Sequence, residues 1–312
     1  MFSLSTLFVT GIAALSASAM PFSQLTKLLP RDVVHIGLDE HTREFVAYKR
    51  DGELYGRYPV DADFNSHMVK RDATCGDLSV EQAQKLPGWE SLEQYADDNW
   101  GTGSRNVETN PADYLSQPAQ VCVTDEVVEL SFEGDPTCQS HRTSTEGSLT
   151  GTDGKVAIEV DQGFNTDTSY TVSQASTLGI DSKLEVKVGI PEVADVTSSI
   201  TVSTSVTNTL SSTFDVSYND VSKVTITMTA PEGKKCTAVS ETKTCNMQAK
   251  GSIRYLATGW VWFNYDDETE GHYKWAANID NILTNQDDRS SFADFHGAMS
   301  SDTKTAYEGT CE

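Results

Sequence analysis

The sequence predicts a mainly β protein with a small α+β lobe at its front. Three observations carry this. After Val121 the chain breaks into short runs rich in Val, Ile and Thr, separated by Gly, Asp and Asn. Before Val121 lies a Ser-capped stretch with helical character. From Thr177 to Leu210 two long arms place an apolar residue at nearly every second position.

Residues 79–98 open on a Ser cap with Glu soon after, which predicts a helix interrupted near Pro87-Gly88. Strands are expected at Val127–Phe132, Val156–Val160, Tyr170–Ser173 and Val224–Met228, the last ended by Ala230-Pro231-Glu232-Gly233. Gly251–Tyr265 reads as a strand covered on both faces, with Trp260, Trp262 and Asn264 on one and Val261, Phe263 and Tyr265 on the other. Ala276–Leu283 reads as a short helix, and the remainder to Cys311 is polar with no assigned pattern.

The first 71 residues read as targeting and processing sequence. Residues 2–19 carry no charge, contain the apolar run Leu7–Leu15 and end in Ala17-Ser18-Ala19, which predicts a signal peptide at 1–19 and secretion. The run is too short for a membrane anchor, which needs about 20 residues. Residues 20–71 read as a pro-segment with dibasic sites at Lys49-Arg50 and Lys70-Arg71, suited to a kexin-type protease, so that the mature chain begins at Asp72. Such a segment holds the protein inactive or assists its folding.

The chain has 23 Lys and Arg against 46 Asp and Glu, a formal charge of −23. Residues 20–71 hold eight of each sign, so the whole excess belongs to residues 72–312. A surface this acidic repels phosphates, which argues against nucleic-acid partners. The six cysteines Cys75, Cys122, Cys138, Cys236, Cys245 and Cys311 all follow the second dibasic site and predict three disulfides. Cys236 and Cys245 bracket Ser240-Glu241-Thr242-Lys243, a plausible turn, which suggests that they close a hairpin and leaves Cys122 with Cys138 and Cys75 with Cys311. No zinc-ligand spacing occurs, and no metal or cofactor is expected.

The informative stretch is Thr177–Leu210. Its even positions 178–190 and 196–206 are apolar at ten of thirteen places; its odd positions carry Asp, Lys, Glu, Ser, Thr and Gly. Alternation of this kind gives each arm one apolar and one polar face, joined by a turn at Pro191, Glu192, Val193 and Ala194. Arms of roughly 13 residues, at ~3.3 Å each and a tilt of ~40°, span about 30 Å, the depth of a bilayer's hydrocarbon core. The same pattern suits a strand half-buried in a β-sandwich. A glycosylated stalk fits less well, because the Ser/Thr-rich run 197–213 has no Pro and keeps strict alternation.

The order of features resembles the aerolysin-like β-pore-forming toxins, in particular their epsilon-toxin and mosquitocidal-toxin branch. The residues concerned are Leu-Glu-Val-Lys-Val-Gly-Ile-Pro at 184–191, the Ser/Thr-rich return arm, Val-Thr-Asn-Thr at 206–209, and a strand ending in Ala-Pro-Glu-Gly at 230–233. The match covers about Val156–Tyr265. It implies an elongated fold of long twisted antiparallel strands, in which residues 72–140 form a membrane- or receptor-binding lobe and 141–312 the pore-forming module. The hairpin at about 177–210 is then released on a target membrane after homo-oligomerisation and inserts as part of a transmembrane β-barrel. On that resemblance Leu178, Ile180, Leu184, Val186, Val188, Ile190, Val196, Ile200, Val202 and Val206 face lipid, while Asp181, Lys183, Glu185, Lys187, Thr197, Ser199, Thr201, Ser203 and Ser205 face the lumen.

Two other classes compete with a pore. A secreted lectin or cell-surface binding protein would use Trp260, Trp262, Tyr265, Tyr273 and Trp275 to stack on sugar rings or lipid head groups, although core packing explains the same residues. An enzyme finds little support, since residues 72–312 have three histidines and neither Gly-x-Ser-x-Gly nor His-Glu-x-x-His. The acidic runs Asp266-Asp267-Glu268 and Asp287-Asp288 lack calcium-loop spacing and read as solvated turns.

Overall fold

The computed structural model describes residues 29–60, 75–111, 119–123, 126–148, 153–179, 183–191 and 200–312. The expected signal peptide, Lys70 and Arg71 lie outside them. Eighteen described strands dominate the chain. They begin with β1 (Val33–Asp39), β2 (Glu44–Lys49), β3 (Leu54–Pro59) and β4 (Cys75–Asp77), followed by helices α1 (Val80–Ala83) and α2 (Trp89–Trp100). Next come β5 (Arg105–Glu108), β6 (Gln120–Val123), β7 (Val128–Glu129), β8 (Ser131–Phe132), β9 (Thr137–Ser148) and β10 (Gly154–Gln174). β11 (Leu184–Ile190), β12 (Ile200–Val206), β13 (Thr213–Asn219) and β14 (Ser222–Ala230) lead to the long β15 (Lys235–Thr258). The chain closes with β16 (Trp260–Thr269), β17 (His272–Asn278), helix α3 (Ile279–Ile282) and β18 (Ser290–Cys311).

These elements gather into two compact units, one of Met1–Lys70, Leu92–Pro118 and Trp260–Ile282, the other of Arg71–Ser91, Ala119–Gly259 and Leu283–Glu312. The lobe expected at 72–140 is therefore divided between the two. The helical expectation holds in detail: Ser79 caps α1 in a capping box with Gln82, and the break before α2 falls at Pro87-Gly88.

The first unit is built on an antiparallel sheet in the order β3-β2-β1-β17-β16-β5. Half of it comes from residues expected to be a cleavable pro-segment. Val33, Val34, Ile36, Leu38, Phe45, Val46 and Ala47 are buried, and five of them form one core with Trp260, Trp262 and Ala276. Lys49-Arg50 accordingly does not lie in open chain. Lys49 ends β2, its backbone N–H donates to the Glu53 carbonyl and its ammonium pairs with the Glu53 carboxylate at 2.6 Å; Arg50 donates to the Asn281 carbonyl. The turn closes through Gly52 at φ +83°, a conformation glycine adopts without strain.

On the same sheet His35 and Tyr48, from β1 and β2, meet Tyr95 and Trp100 of α2 and His272 and Trp275 of β17. His35 Nδ1 and the Tyr95 hydroxyl share a 2.7 Å hydrogen bond, Tyr48 and His272 share one of 3.0 Å, and Trp100 stacks on Trp275 at 5.1 Å. Burial among these rings lowers the His35 pKa to about 4 and lowers that of His272 as well.

The second unit centres on β15, which pairs β18 along Cys236–Leu256 and holds β9 along Lys235–Asn246 on its other edge. β18 in turn pairs β10. β10 changes partners midway: Gly154–Gln162 pair β14, and Asn165–Thr171 pair β13. The change occurs at Gly163, whose φ of +136° and close approach to the Asp220 carbonyl leave no room for a side chain. Val156–Val160 and Tyr170–Ser173, expected as separate strands, are thus one. β9 differs from its neighbours in being exposed along both faces, apart from the half-buried Gly147.

The disulfides correct the sequence expectation. They join Cys75–Cys122, Cys138–Cys245 and Cys236–Cys311. Cys236 and Cys245 lie on one strand, β15, and nine steps of extended chain at ~3.3 Å hold them about 30 Å apart. Each bond instead joins directly opposed residues of neighbouring strands, at Cα separations of 3.9–4.1 Å.

Two outcomes follow. Peptide mapping of the oxidised protein should recover these three pairs and no Cys236–Cys245 link. Stability should also fall on acidification. A His35 pKa of about 4 when folded, against ~6.5 when unfolded, makes its contribution complete above pH 6.5 and lost as the pH drops toward 4, by roughly 3 kcal/mol at most. His35→Gln should flatten denaturant midpoints across that window, leaving the same-signed share of His272.

Candidate functional site

The alternating arms form a hairpin. β11 and β12 pair antiparallel in the register Leu184↔Val206, Val186↔Thr204, Val188↔Val202 and Ile190↔Ile200, with Glu185↔Ser205, Lys187↔Ser203 and Gly189↔Thr201 between them. Directly opposed residues share a face. One face therefore collects Leu184, Val186, Val188, Ile190 and Val206, all 2% exposed or less, together with half-buried Ile200, Val202 and Thr204. The other carries Glu185, Lys187, Thr201, Ser203 and Ser205, all exposed, beside half-buried Gly189. Lys183, just ahead of β11, is exposed too.

The register corrects the expected turn. A four-residue turn at Pro191–Ala194 would pair Ile190 with Asp195 and Val188 with Thr197, mixing apolar and polar residues on each face. The observed pairing of Ile190 with Ile200 puts nine residues between the arms, and even positions meet even ones. Pro191 is half-buried; Glu192, Val193, Ala194, Val196, Thr197 and Ser199 lie outside the described residues, as do Ile180 and Asp181.

At the root the described chain departs from the expected strand. Thr177–Gly179 is a turn rather than the start of the strand, and Leu178 is buried within it. A polar clasp holds this root. The Asn208 side chain accepts from the Ser176 N–H at 2.7 Å and donates to the Ser176 carbonyl at 2.9 Å, as a backbone partner would. Its amide stands where a Cβ of Gly179 would be, so a side chain there would displace the Asn208 amide from the clasp. Ser176 Oγ accepts from Leu178 N–H, Thr177 bonds Ser291, and Gln82 donates to the Gly179 carbonyl. Asn208 gave no signal in the alternation, because its work is done by side-chain amide geometry.

Along its length the hairpin meets β7 and β13. β7 pairs β11 in parallel at Val188↔Val128 and Gly189↔Glu129, and bare Gly189 admits the Val127 side chain. Thr204 Oγ1 donates to the Asp215 carbonyl of β13 at 2.7 Å. None of the three disulfides touches β11 or β12.

The aromatic residues considered for sugar stacking are packed inside the first unit instead. Trp260, Trp262, Tyr265 and Trp275 are 5% exposed or less, and of this group Tyr273 alone is exposed, at 40%. Arg105 bonds the Tyr265 hydroxyl at 2.7 Å and lies over its ring.

The chain is thus a mainly β protein of antiparallel sheets carrying one amphipathic hairpin. No protein-family sequence model matches it, nor does any curated protein sequence. Among solved structures it is similar to the parasporin-2 toxin of Bacillus thuringiensis, which recognises cancer cells, at 15% identity over 76% of this chain and 96% of that one, with a TM-score of 0.34. It is similar to the Mpp75Aa1.1 β-pore-forming protein of Brevibacillus laterosporus at 16% identity, over 74% and 88% of the two chains, with a TM-score of 0.35. An aerolysin-like protein of Bombina maxima matches at 11% identity over 59% of this chain and 99% of that one, with a TM-score of 0.25.

Asn208→Ala removes both bonds of the clasp. At ~1 kcal/mol net for each hydrogen bond lost, it should loosen the root by about 1–3 kcal/mol. Hydrogen exchange of Leu184–Ile190 and Ile200–Val206 should speed up accordingly, while β15 and β18 keep their protection.

Proposed function

We propose that this is a secreted pore-forming protein that binds a target membrane, assembles into a homo-oligomer and inserts one hairpin per subunit into a closed transmembrane β-barrel. The observation that carries the reading is the β11–β12 register, which sorts one face that is apolar apart from Thr204 from one Ser/Thr/Glu/Lys face. Leu184, Val186, Val188, Ile190, Ile200, Val202 and Val206 then exchange their present cover for lipid. Lys183, Glu185, Lys187, Thr201, Ser203 and Ser205 line the water-filled lumen. Leu178, Ile180 and Val196 extend the lipid row, and Asp181, Thr197 and Ser199 the lumen row.

Physical chemistry requires the oligomer. A lone hairpin in lipid exposes two strand edges whose unpaired N–H and C=O groups cost several kcal/mol each, and closing a ring removes them. Seven paired residues at ~3.3 Å and a tilt of ~40° cover about 18 Å, short of the ~25 Å apolar band of a barrel. The barrel ladder therefore runs beyond the seven described pairs. Continued in the same register toward the root, it pairs Lys183 with Thr207 and Leu178 with Ser212, which requires the Asn208–Ser176 clasp to open. Secretion follows from the signal peptide at 1–19, and a kexin-type cut after Lys70-Arg71 is the processing step. The receptor on the membrane is a lipid or a glycan.

Dye release from liposomes tests the reading. The secreted protein should empty vesicles made from target-cell lipid, and a polarity-sensitive dye on a cysteine at Val186 or Val202 should report an apolar environment during release. Val186→Asp should abolish release while leaving membrane binding intact. Lys187→Glu should keep release and shift the pore toward cations. A dye at both positions that stays in water while vesicles empty sinks the hairpin assignment.

A further inference from the structure

Residues 29–60 form three strands of a six-stranded sheet, joined to the rest of that sheet along the β1–β17 ladder, His35↔Ala277 to Leu38↔Lys274. Seven of their apolar side chains are at most 7% exposed. Trp260 and Trp262, at 4% and 0%, owe their cover in part to Val33, Ile36, Leu38 and Phe45. Asn281 donates to the Val33 carbonyl at 2.9 Å, and Arg50 reaches back to the Asn281 carbonyl. The His272 ring lies where a Cβ of Gly37 would sit, 2.5 Å from its Cδ2, so the two strands fit by the absence of a side chain. The first cysteine is Cys75, so no disulfide holds this segment to the body.

We propose that the β17 edge and the apolar face of β16 and β17 are a docking surface for the chain's own residues 29–60, which stay bound as a separate light chain after the backbone is cut between Val60 and Cys75. The processed protein is then a non-covalent two-chain species. An exposed β17 edge beside uncovered tryptophans would offer a template for strand addition by a second copy, and the retained segment blocks it. This holds whether or not the hairpin crosses a membrane.

The test uses the full chain with a sequence-specific protease site in place of Lys70-Arg71, cut under native conditions and run on size exclusion at neutral pH. The fragment should co-elute one-to-one with the body, with tryptophan emission unshifted. Urea should separate the two. Gly37→Val should weaken retention at least tenfold after cutting, yet be tolerated in the uncut chain, where the tether keeps the segment at millimolar effective concentration. Should the uncut Gly37→Val chain misfold, Asn281→Ala is the milder variant, and exchange against labelled fragment should be several-fold faster than in wild type. A wild-type fragment that elutes apart from the body, or retention indifferent to both substitutions, overturns the proposal.

Discussion

Register is the constraint on which the rest of this structure depends. A slip of one residue turns every side chain of a strand to the opposite face, and in the second unit slippage is prevented covalently. Cys245 is bonded to Cys138 directly across the β15–β9 ladder, and Cys236 to Cys311 directly across β15–β18. The long β15 is thus pinned on both edges. Cys75–Cys122 does the same for β4 and β6. The hairpin carries no such bond, as β10, β13 and β14 carry none, and its register rests on hydrophobic burial and on the Asn208 clasp, both reversible.

Much of the architecture was legible in the chain. The capping box at Ser79 and the break at Pro87-Gly88 are local signals, and they appear where local signals put them, whereas the strand expected at Gly251–Tyr265 is the end of β15 and the start of β16, parted at Gly259 with φ +101°. The hairpin's faces were legible for the same reason: period-two alternation survives any tertiary context. Its turn was misplaced, though the means to place it were present. Opposed residues share a face, so two arms whose apolar residues all sit at even numbers need an even register sum, which Pro191–Ala194 does not provide and Ile190↔Ile200 does.

What the sequence hid was non-local. β18, read as patternless, buries Ala293, Phe295, Gly297, Met299 and Ser301 on one face, and three of these five are too small to mark a core by hydrophobicity. Gly297 is bare because the neighbouring β10 runs close alongside, with the Ser169 carbonyl where a Cβ would be. The disulfide error has a related origin. Cys236 and Cys245 are near in sequence, but the polar residues between them are the half-buried middle of a strand rather than a turn. The dibasic pair at Lys49 misled in the opposite sense, since processing logic drew attention away from the alternating apolar residues on either side of it.

The outermost strand of the second unit offers a last consequence. β9 presents twelve residues with both faces wet and one flank of backbone amides facing outward, and it carries neither proline nor lysine to discourage a visitor. Its hold on the body is a ladder, a single sulfur bridge at Cys138 and the ion pairs Arg142–Glu241 and Glu146–Lys235. Breaking that bridge would leave a polar ribbon held by its ladder, its ion pairs and the contact of Gly147 with Val156, so this rim would peel under mild thiol treatment before the sheets behind it gave way.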